Sequence, residues 1–518
     1  MVAQAIAHMR TQLSDNPAVR QRLMILFWGI IVCWLAVAWV QLYFFSFQGG
    51  DSWTQAAPGL LARTPLEITT PFLGSFEGSD KAWGMHWPGG PLLVSLFGPF
   101  IPHTPAVFVS IYLTFWLLLA LATAAITWQL TGSGWMALCA LVLIVSDRIS
   151  FSNVFLERYE TLDGALEMVV LLALSGNPDR RRGLRDVALG AAFFLFPLMQ
   201  PMTMGLSIAW VVCFGLRSWA LRRAWRQFWI ATAATAAGWA GFLGYYLSRP
   251  GLLAILLYHG RHTTEASSPR LGTAIHRLLH IGDPTKSGTI VYLAALCGVG
   301  WLLYAFWKAR AEWREFVARE EVILLAAAGL LCCMVLVQFD RIDAYWEPVW
   351  PFAVVIFCQM IWTLLRRVPS RRWVWQGALG AVLLLHCLYL PGRVYVWYKL
   401  GFINMPATLR NFANSLPRTG QLFLPEVLWQ TYADGSRPFI LNSIPAEVGL
   451  DKEKRYADYL APQIHSGDVL VIDLHQMSET LINPHQQGWK QIGMCAVMYG
   501  GRAAGMQHGF ELTAYQKQ

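Results

Sequence analysis

The chain has 518 residues, of which 55% are hydrophobic and only 14% charged, and it carries a formal net charge of +9. A soluble protein of this length carries roughly 25% charged residues, so the composition excludes an ordinary water-soluble globule. The positive charge does not form the basic, aromatic-rich face of a nucleic-acid binder, which excludes nucleic acid as a partner.

Runs of about 20 apolar residues recur along the first part of the chain, each long enough to cross about 30 Å of hydrocarbon. They predict about eleven transmembrane helices, near 24–45, 104–128, 134–146, 163–175, 187–199, 203–216, 228–247, 288–307, 321–338, 346–366 and 373–391. The first follows Arg10, Arg20 and Arg22, and its apolar run to Phe45 is too long for a cleaved signal peptide. It reads as a retained signal anchor.

Lysine and arginine set the orientation. With the N-terminal three, the clusters Arg180–Arg185, Arg217–Arg226, Lys308–Arg319 and Arg366–Arg372 hold 19 of the 29 basic residues before position 393. An N-terminus in the cytoplasm and eleven crossings put every cluster inside. The stretch 187–216 has basic clusters at both ends, which two short helices turning at Gln200-Pro201 accommodate. The predicted organisation is a cytoplasmic N-terminus over 1–23, a membrane module over 24–392 with a first outer loop at 46–103, and an extracytoplasmic domain over 393–518. The fold class is an α-helical polytopic membrane protein with a small C-terminal periplasmic α/β domain.

In that tail, Gln421–Leu424, Pro438–Leu441 and Val469–Asp473 read as strands, the last after a turn at Gly467, and 446–464 reads as a helix. Eight of the nine cysteines lie in apolar spans and only Cys495 lies in the tail, so there is neither a disulfide framework nor a zinc spacing.

Function sits preferentially on loops held by a rigid scaffold. Asp51 follows Gly49-Gly50 at the outer end of the first span and reads either as a solvated boundary acid or as a placed side chain. His86 opens the Pro/Gly turn His86-Trp87-Pro88-Gly89-Gly90-Pro91, ahead of an amphipathic run; it is either a ligand-binding or an interfacial histidine. Next come Asp147-Arg148 and Glu157-Arg158-Tyr159-Glu160-Thr161-Leu162-Asp163. In a helix, Glu160 and Asp163 share a face, and so dense a cluster beside hydrocarbon is costly unless it lines a cavity; it reads either as a structural salt-bridge cluster, with Arg158 neutralising one acid, or as an active site. The loop at 248–287 holds Arg261 among four histidines. Arg341 and Tyr345 lie in Asp340-Arg341-Ile342-Asp343-Ala344-Tyr345-Trp346-Glu347-Pro348, at the mouth of a late span, where Arg341 either balances Asp340 and Asp343 or is a fixed positive charge for a ligand. Outward-facing carboxylates with arginines suit sugar transfer from a lipid phosphate: a carboxylate takes the proton of an attacking hydroxyl, and arginines hold the departing phosphate.

On these residues the sequence resembles the GT-C superfamily of membrane glycosyltransferases over roughly 20–350, and is similar in layout to the lipid A aminoarabinose transferases and protein O-mannosyltransferases. Asp51 in Gly49-Gly50-Asp51-Ser52-Trp53 fits the family's carboxylate after the first helix. The turn His86–Leu92 resembles its PPL turn, Glu157–Asp163 its second acidic region, Phe196–Pro201 its helix pair, and Arg341 with Tyr345 and Pro348 its late RY..P pattern. The resemblance implies an inverting transferase with Asp51, Glu160 and Asp163 as catalytic residues, and with His86, Arg148, Glu157, Arg158, Arg261, Arg341 and Tyr345 binding substrate. It implies a polyprenyl-phosphate-linked sugar donor, membrane lipid as surroundings, and a glycan, lipid or protein acceptor at the cell envelope. Ser52 stands where many relatives have a second acid. Gln200 stands where some carry a lysine near the phosphate, a part that Arg148, Arg158, Arg261 or Arg341 would take. No metal site is predicted, but some members bind a divalent cation, for which Asp51, Glu77, Asp80 or His86 would be the ligands here. The alternatives are a transporter or lipid flippase, or a non-catalytic envelope-assembly component.

Overall fold

The computed structural model describes residues 17–45, 89–97, 105–148, 151, 154, 160–175, 182–248, 287–336, 346–399, 401, 403–425, 428, 439–440, 464–473, 488–499 and 508–518. Their helices are α1 (Pro17–Phe45), α2 (Gly89–Phe97), α3 (Pro105–Thr131), α4 (Gly134–Val145), α5 (Glu160–Ser175), α6 (Arg182–Met199), α7 (Pro201–Leu221) and α8 (Trp225–Leu247). Then follow α9 (Ser287–Lys308), α10 (Trp313–Arg319), α11 (Glu321–Leu336), α12 (Val349–Arg367), α13 (Arg372–Cys387), α14 (Tyr389–Lys399) and α15 (Met405–Ser415). Among the described residues, helices run through part or all of each predicted apolar segment. Among the described residues six stretches are long and apolar enough to cross a membrane: Gln21–Gln41, Val109–Thr131, Thr203–Leu221, Gly288–Lys308, Val349–Arg367 and Arg372–Lys399. The architecture is that of a multi-pass membrane protein.

Local chemistry places the breaks. Ser133 caps α4 by accepting from the Met136 amide, a favoured use of serine. Pro201 starts α7, where a missing N–H costs nothing. Between α6 and α7 only Gln200 leaves the helix, with φ −164° and ψ 167°. The Thr203 hydroxyl closes that corner, within 3.0 Å of Phe196 O and 3.1 Å of Gln200 O. The two helices are longer than the short pair expected: they run 18 and 21 residues, because Arg182–Arg185 and Arg217–Leu221 continue the helical register beyond the apolar stretch.

α12 is the central post, packed against α3, α4, α5, α9, α11 and α13. α11 approaches it closely at Gly329, where an added Cβ would stand 2.5 Å from the Phe352 ring.

The basic ends of the helices gather at one end of the bundle. Arg226 pairs with Asp186 at 2.8 Å, and Arg217 pairs with Glu321. Trp219 stacks on Trp313 with centroids 5.1 Å apart, and the Arg367 guanidinium lies 5.5 Å over the Trp301 ring. These contacts join the start of α6, the turn between α7 and α8, the stretch from α9 to α11 and the end of α12. The first residues of α5, α7 and α12 therefore lie at the opposite end. With 19 residues in α12 and 1.5 Å per residue, the two ends are about 28 Å apart, close to the hydrocarbon thickness.

The C-terminal residues form a five-stranded sheet from β1 (Leu422–Leu424), β2 (Phe439–Ile440), β3 (Val469–Asp473), β4 (Trp489–Tyr499) and β5 (His508–Lys517), in the order β2-β1-β3-β5-β4. β2, β1 and β3 are parallel; β5 runs antiparallel to β3 and β4, with an irregularity at Gln491/Gly493. Asp468 pins the turn before β3 by accepting from the Gln421 and His465 amides, both at 2.7 Å. α15 packs on both β4 and α1, and the Trp397 indole on α14 donates to Gln41 on α1 at 3.0 Å. The sheet thus joins the bundle through the C-terminal half of α1. The predicted helix at 446–464 lies outside the described residues except for Ile464.

Candidate active site

α5 opens with acid, which the positive end of a helix favours: Glu160 and Asp163 stand in its first turn. Glu167 follows one turn later on the same face. All three are fully buried, as is Glu347 just before α12. Taking carboxylates out of water is expensive unless each finds a hydrogen bond or a partner, so the contacts around them matter.

The side-chain amide of Gln200 donates to Asp163 Oδ2. The Thr161 hydroxyl donates to Glu347 Oε2 at 2.9 Å, and Cys333 Sγ lies 3.7 Å from Glu167 Oε1. Asp163 Oδ1 and Glu167 Oε2 have no hydrogen-bond partner among the described residues. Three elements far apart in sequence, α5, the α6–α7 corner and the segment before α12, are thus tied by polar contacts at one layer of the bundle. A fourth element joins them: Gly89, the first residue of α2, sits so close to the end of α6 that a Cβ there would stand 2.6 Å from Leu198 O and 2.7 Å from Met199 Sδ. Glycine is required here for close approach, and the approach is to the two residues immediately before Gln200.

A second joint borders the first. The carbonyl of Leu143, near the end of α4, accepts from the Trp350 indole at 3.1 Å and lies 2.9 Å from His386 Nε2. His386 stacks on Trp350, with centroids 5.3 Å apart and planes at 22°, and its Nε2 is 4.0 Å from Asp147 Oδ1. Tyr292 packs against both Trp346 and Trp350, at 5.5 and 5.2 Å, and its hydroxyl reaches Trp346 O at 3.4 Å. A row of rings thereby connects the joint at Asp147 to the segment carrying Glu347.

Of the residues singled out in the sequence, Glu160 and Asp163 are brought together in this layer, and Arg148 is half-buried beside Asp147. Asp51, His86, Glu157, Arg158, Arg261, Arg341 and Tyr345 lie outside the described residues, as do Glu77 and Asp80. Thr161, Glu167, Glu347, Cys333 and His386 were not anticipated as site residues, and Gln200 only as a departure from the family. Glu167 had a readable signal, an acid one turn after Asp163 inside an apolar run. Among the described residues no group of three His, Cys, Asp or Glu side chains is placed to hold a metal ion. The nine cysteines are free; burial pushes the Cys495 thiol in the tail up from its ordinary value, which keeps it protonated and a poor nucleophile.

No family model and no curated protein matches the chain. Solved structures do. ArnT from Cupriavidus metallidurans bound to undecaprenyl phosphate is similar with a TM-score of 0.53 at 13% identity, over 94% of this chain and 98% of that one. The same protein in the apo state gives 0.50 at 11% identity, over 94% and 98%. The apo oligosaccharyltransferase of Archaeoglobus fulgidus gives 0.50 at 12% identity, over 86% of this chain and 69% of that one. The chain has a GT-C-like fold, as its resemblance implied.

Proposed function

We propose that this chain is a glycosyltransferase that moves a sugar from a polyprenyl-phosphate donor to a glycan, lipid or protein acceptor at the outer face of the cytoplasmic membrane, with inversion. One observation carries the reading. The fold matches, over nearly the whole of both chains, a protein solved with undecaprenyl phosphate, and this chain closes buried carboxylates into one end of that fold.

Asp51 is the general base in this reading. Its carboxylate takes the proton of the acceptor hydroxyl as that oxygen bonds to the anomeric carbon. The bond from that carbon to the phosphate oxygen breaks, and its electron pair leaves on polyprenyl phosphate. Such a base contributes about 10²–10⁴-fold. Glu160 and Asp163 are its acidic partners, with Gln200 and Thr161 fixing the layer they stand in. Arg148, Arg158, Arg261 and Arg341, with His86, Glu157 and Tyr345, bind the donor, the arginines by bidentate bonds to the departing phosphate. Lysine and arginine favour the cytoplasmic side, which turns the basic end of the bundle inward, over eleven crossings, and the carboxylate end and residues 393–518 outward.

The test is transfer by the purified protein reconstituted with lipid-linked sugars extracted from its own host's membranes, reading free polyprenyl phosphate and glycosylated product by mass spectrometry. The two are expected in equal amounts, and Asp51→Asn, which keeps the size and removes the base, is expected to lose about 10²-fold or more. Near-wild-type transfer by that variant removes Asp51 from the role. Absence of polyprenyl phosphate release by the wild type removes the transferase reading.

A further inference from the structure

The basic end of the bundle carries a feature that the proposed chemistry leaves unused. Trp301, Tyr304 and Trp307 follow one another at three-residue spacing along the last two turns of α9, about half exposed at 50%, 51% and 61%. Their ring centroids are 5.9 and 6.3 Å apart in sequence, a continuous aromatic ladder. An arginine closes each end: Arg367 lies 5.5 Å over Trp301, and Arg310 lies 5.4 Å over Trp307. Arg366 lies 5.0 Å over Trp362 on the neighbouring α12.

These arginines differ from others at the same end. Arg217, Arg226 and Arg319 are committed to Glu321, Asp186 and Glu320. Arg310, Arg366 and Arg367 form no ion pair among the described residues, and all three are exposed. The chain contains no acidic residue between Glu347 and Glu426, so the α12–α13 turn with Arg371 and Arg372 is uniformly positive in sequence; Glu312 is the acid nearest in sequence to Arg310. A guanidinium lying on a ring is oriented by the ring face and keeps its N–H edges for an oxyanion, which phosphate fits bidentately. Large exposed aromatics at the end of a spanning helix belong at headgroup depth. Together they present apolar surface for acyl chains and fixed positive charge for a phosphate at the same level.

We propose that this ladder is a binding site for the headgroup of an anionic phospholipid. It stands at the end of the bundle remote from the buried carboxylates, about 28 Å away by the length of α12, and is separate from any donor site there. Charge complementarity selects the occupant, since a zwitterionic lipid would bring a cation against the arginines.

The full-length protein in neutral detergent, titrated with phosphatidylglycerol or phosphatidylcholine and read by native mass spectrometry, tests the site. Phosphatidylglycerol is expected to bind about tenfold or more tightly than phosphatidylcholine, because each basic side chain near an anionic lipid contributes about a factor of five. The combined variant Arg310→Gln, Arg366→Gln, Arg367→Gln is expected to bring it down to the phosphatidylcholine level while the melting temperature in phosphatidylcholine stays put. Trp301→Leu with Trp307→Leu, which keeps every charge, is expected to weaken it several-fold. Equal retention of the two lipids, unchanged phosphatidylglycerol binding in the arginine variant, or displacement of the lipid by an equal concentration of inorganic phosphate would each overturn the assignment.

Discussion

The side-chain amide of Gln200 donates to Oδ2 of Asp163, 37 positions away in the chain, and both side chains are closed off from solvent. This contact ties the corner between α6 and α7 to the first turn of α5. Gln200→Leu leaves a buried carboxyl oxygen without its donor, which costs about 1–3 kcal/mol. Replacing both partners by apolar groups is cheaper than removing one, so Gln200→Leu with Asp163→Leu is expected to recover part of that loss. Reversible unfolding in mixed micelles measures both.

Gly89 has no room for a methyl group between α2 and the end of α6. Gly89→Ala therefore forces the two apart and is expected to cost about 1–3 kcal/mol, the range for overpacking. Gly29 on α1 has nothing within 4 Å of an added Cβ, and Gly29→Ala is expected to be neutral or to stabilise by about 0.5–1 kcal/mol through reduced backbone freedom of the unfolded chain. Melting temperatures in one detergent separate the pair.

Trp350 and His386 share the Leu143 carbonyl and stack on each other. Two side chains on one acceptor are coupled, so Trp350→Phe and His386→Phe are expected to be non-additive, with an interaction energy of about 0.5–3 kcal/mol in a double-mutant cycle. Additivity within error would show that the two act on the α4 end independently.

Arg217 meets both Glu321 and Gln227, the latter at 2.6 Å, with the two charged side chains only 10% and 16% exposed. Breaking so enclosed a pair from one side is expected to cost about 3 kcal/mol in Arg217→Leu. The double change Arg217→Leu with Glu321→Leu is expected to return much of it, since the uncompensated charge is then gone. Comparison of the two unfolding curves checks the sign.

The membrane helices were legible because a period of apolar residues survives any tertiary context, and Val469–Asp473 was legible as a strand because all five residues are buried. β4 and β5, the longest strands among the described residues, escaped: Lys490, Gln491 and Gly493 break the first half of β4 and leave Met494–Tyr499 as a short apolar run with no alternation, and Glu511, Thr513 and Gln516 interrupt β5. The break at Leu388 that divides the last span into α13 and α14 follows from Pro391, which has no N–H to give the Cys387 carbonyl four residues earlier. Glu160 and Asp163 were readable as one face of a helix. Their partners were not, because Gln200, Thr161 and Glu347 acquire meaning only when α6, α5 and α12 are brought side by side. His386 stands alone in an apolar span, and only the end of α4 packed beside it supplies the contacts at Leu143 and Asp147.

The assignment of the donor to the carboxylate end of the bundle is most directly tested by photolabelling. Undecaprenyl phosphate carrying a diazirine on the isoprene unit next to the phosphate is irradiated with the purified protein, and the labelled peptides are mapped. Labels are expected in α2, around the corner at 196–203 and in the segment 346–350. Labels confined to the aromatic ladder of α9 and to the α12–α13 turn would contradict it.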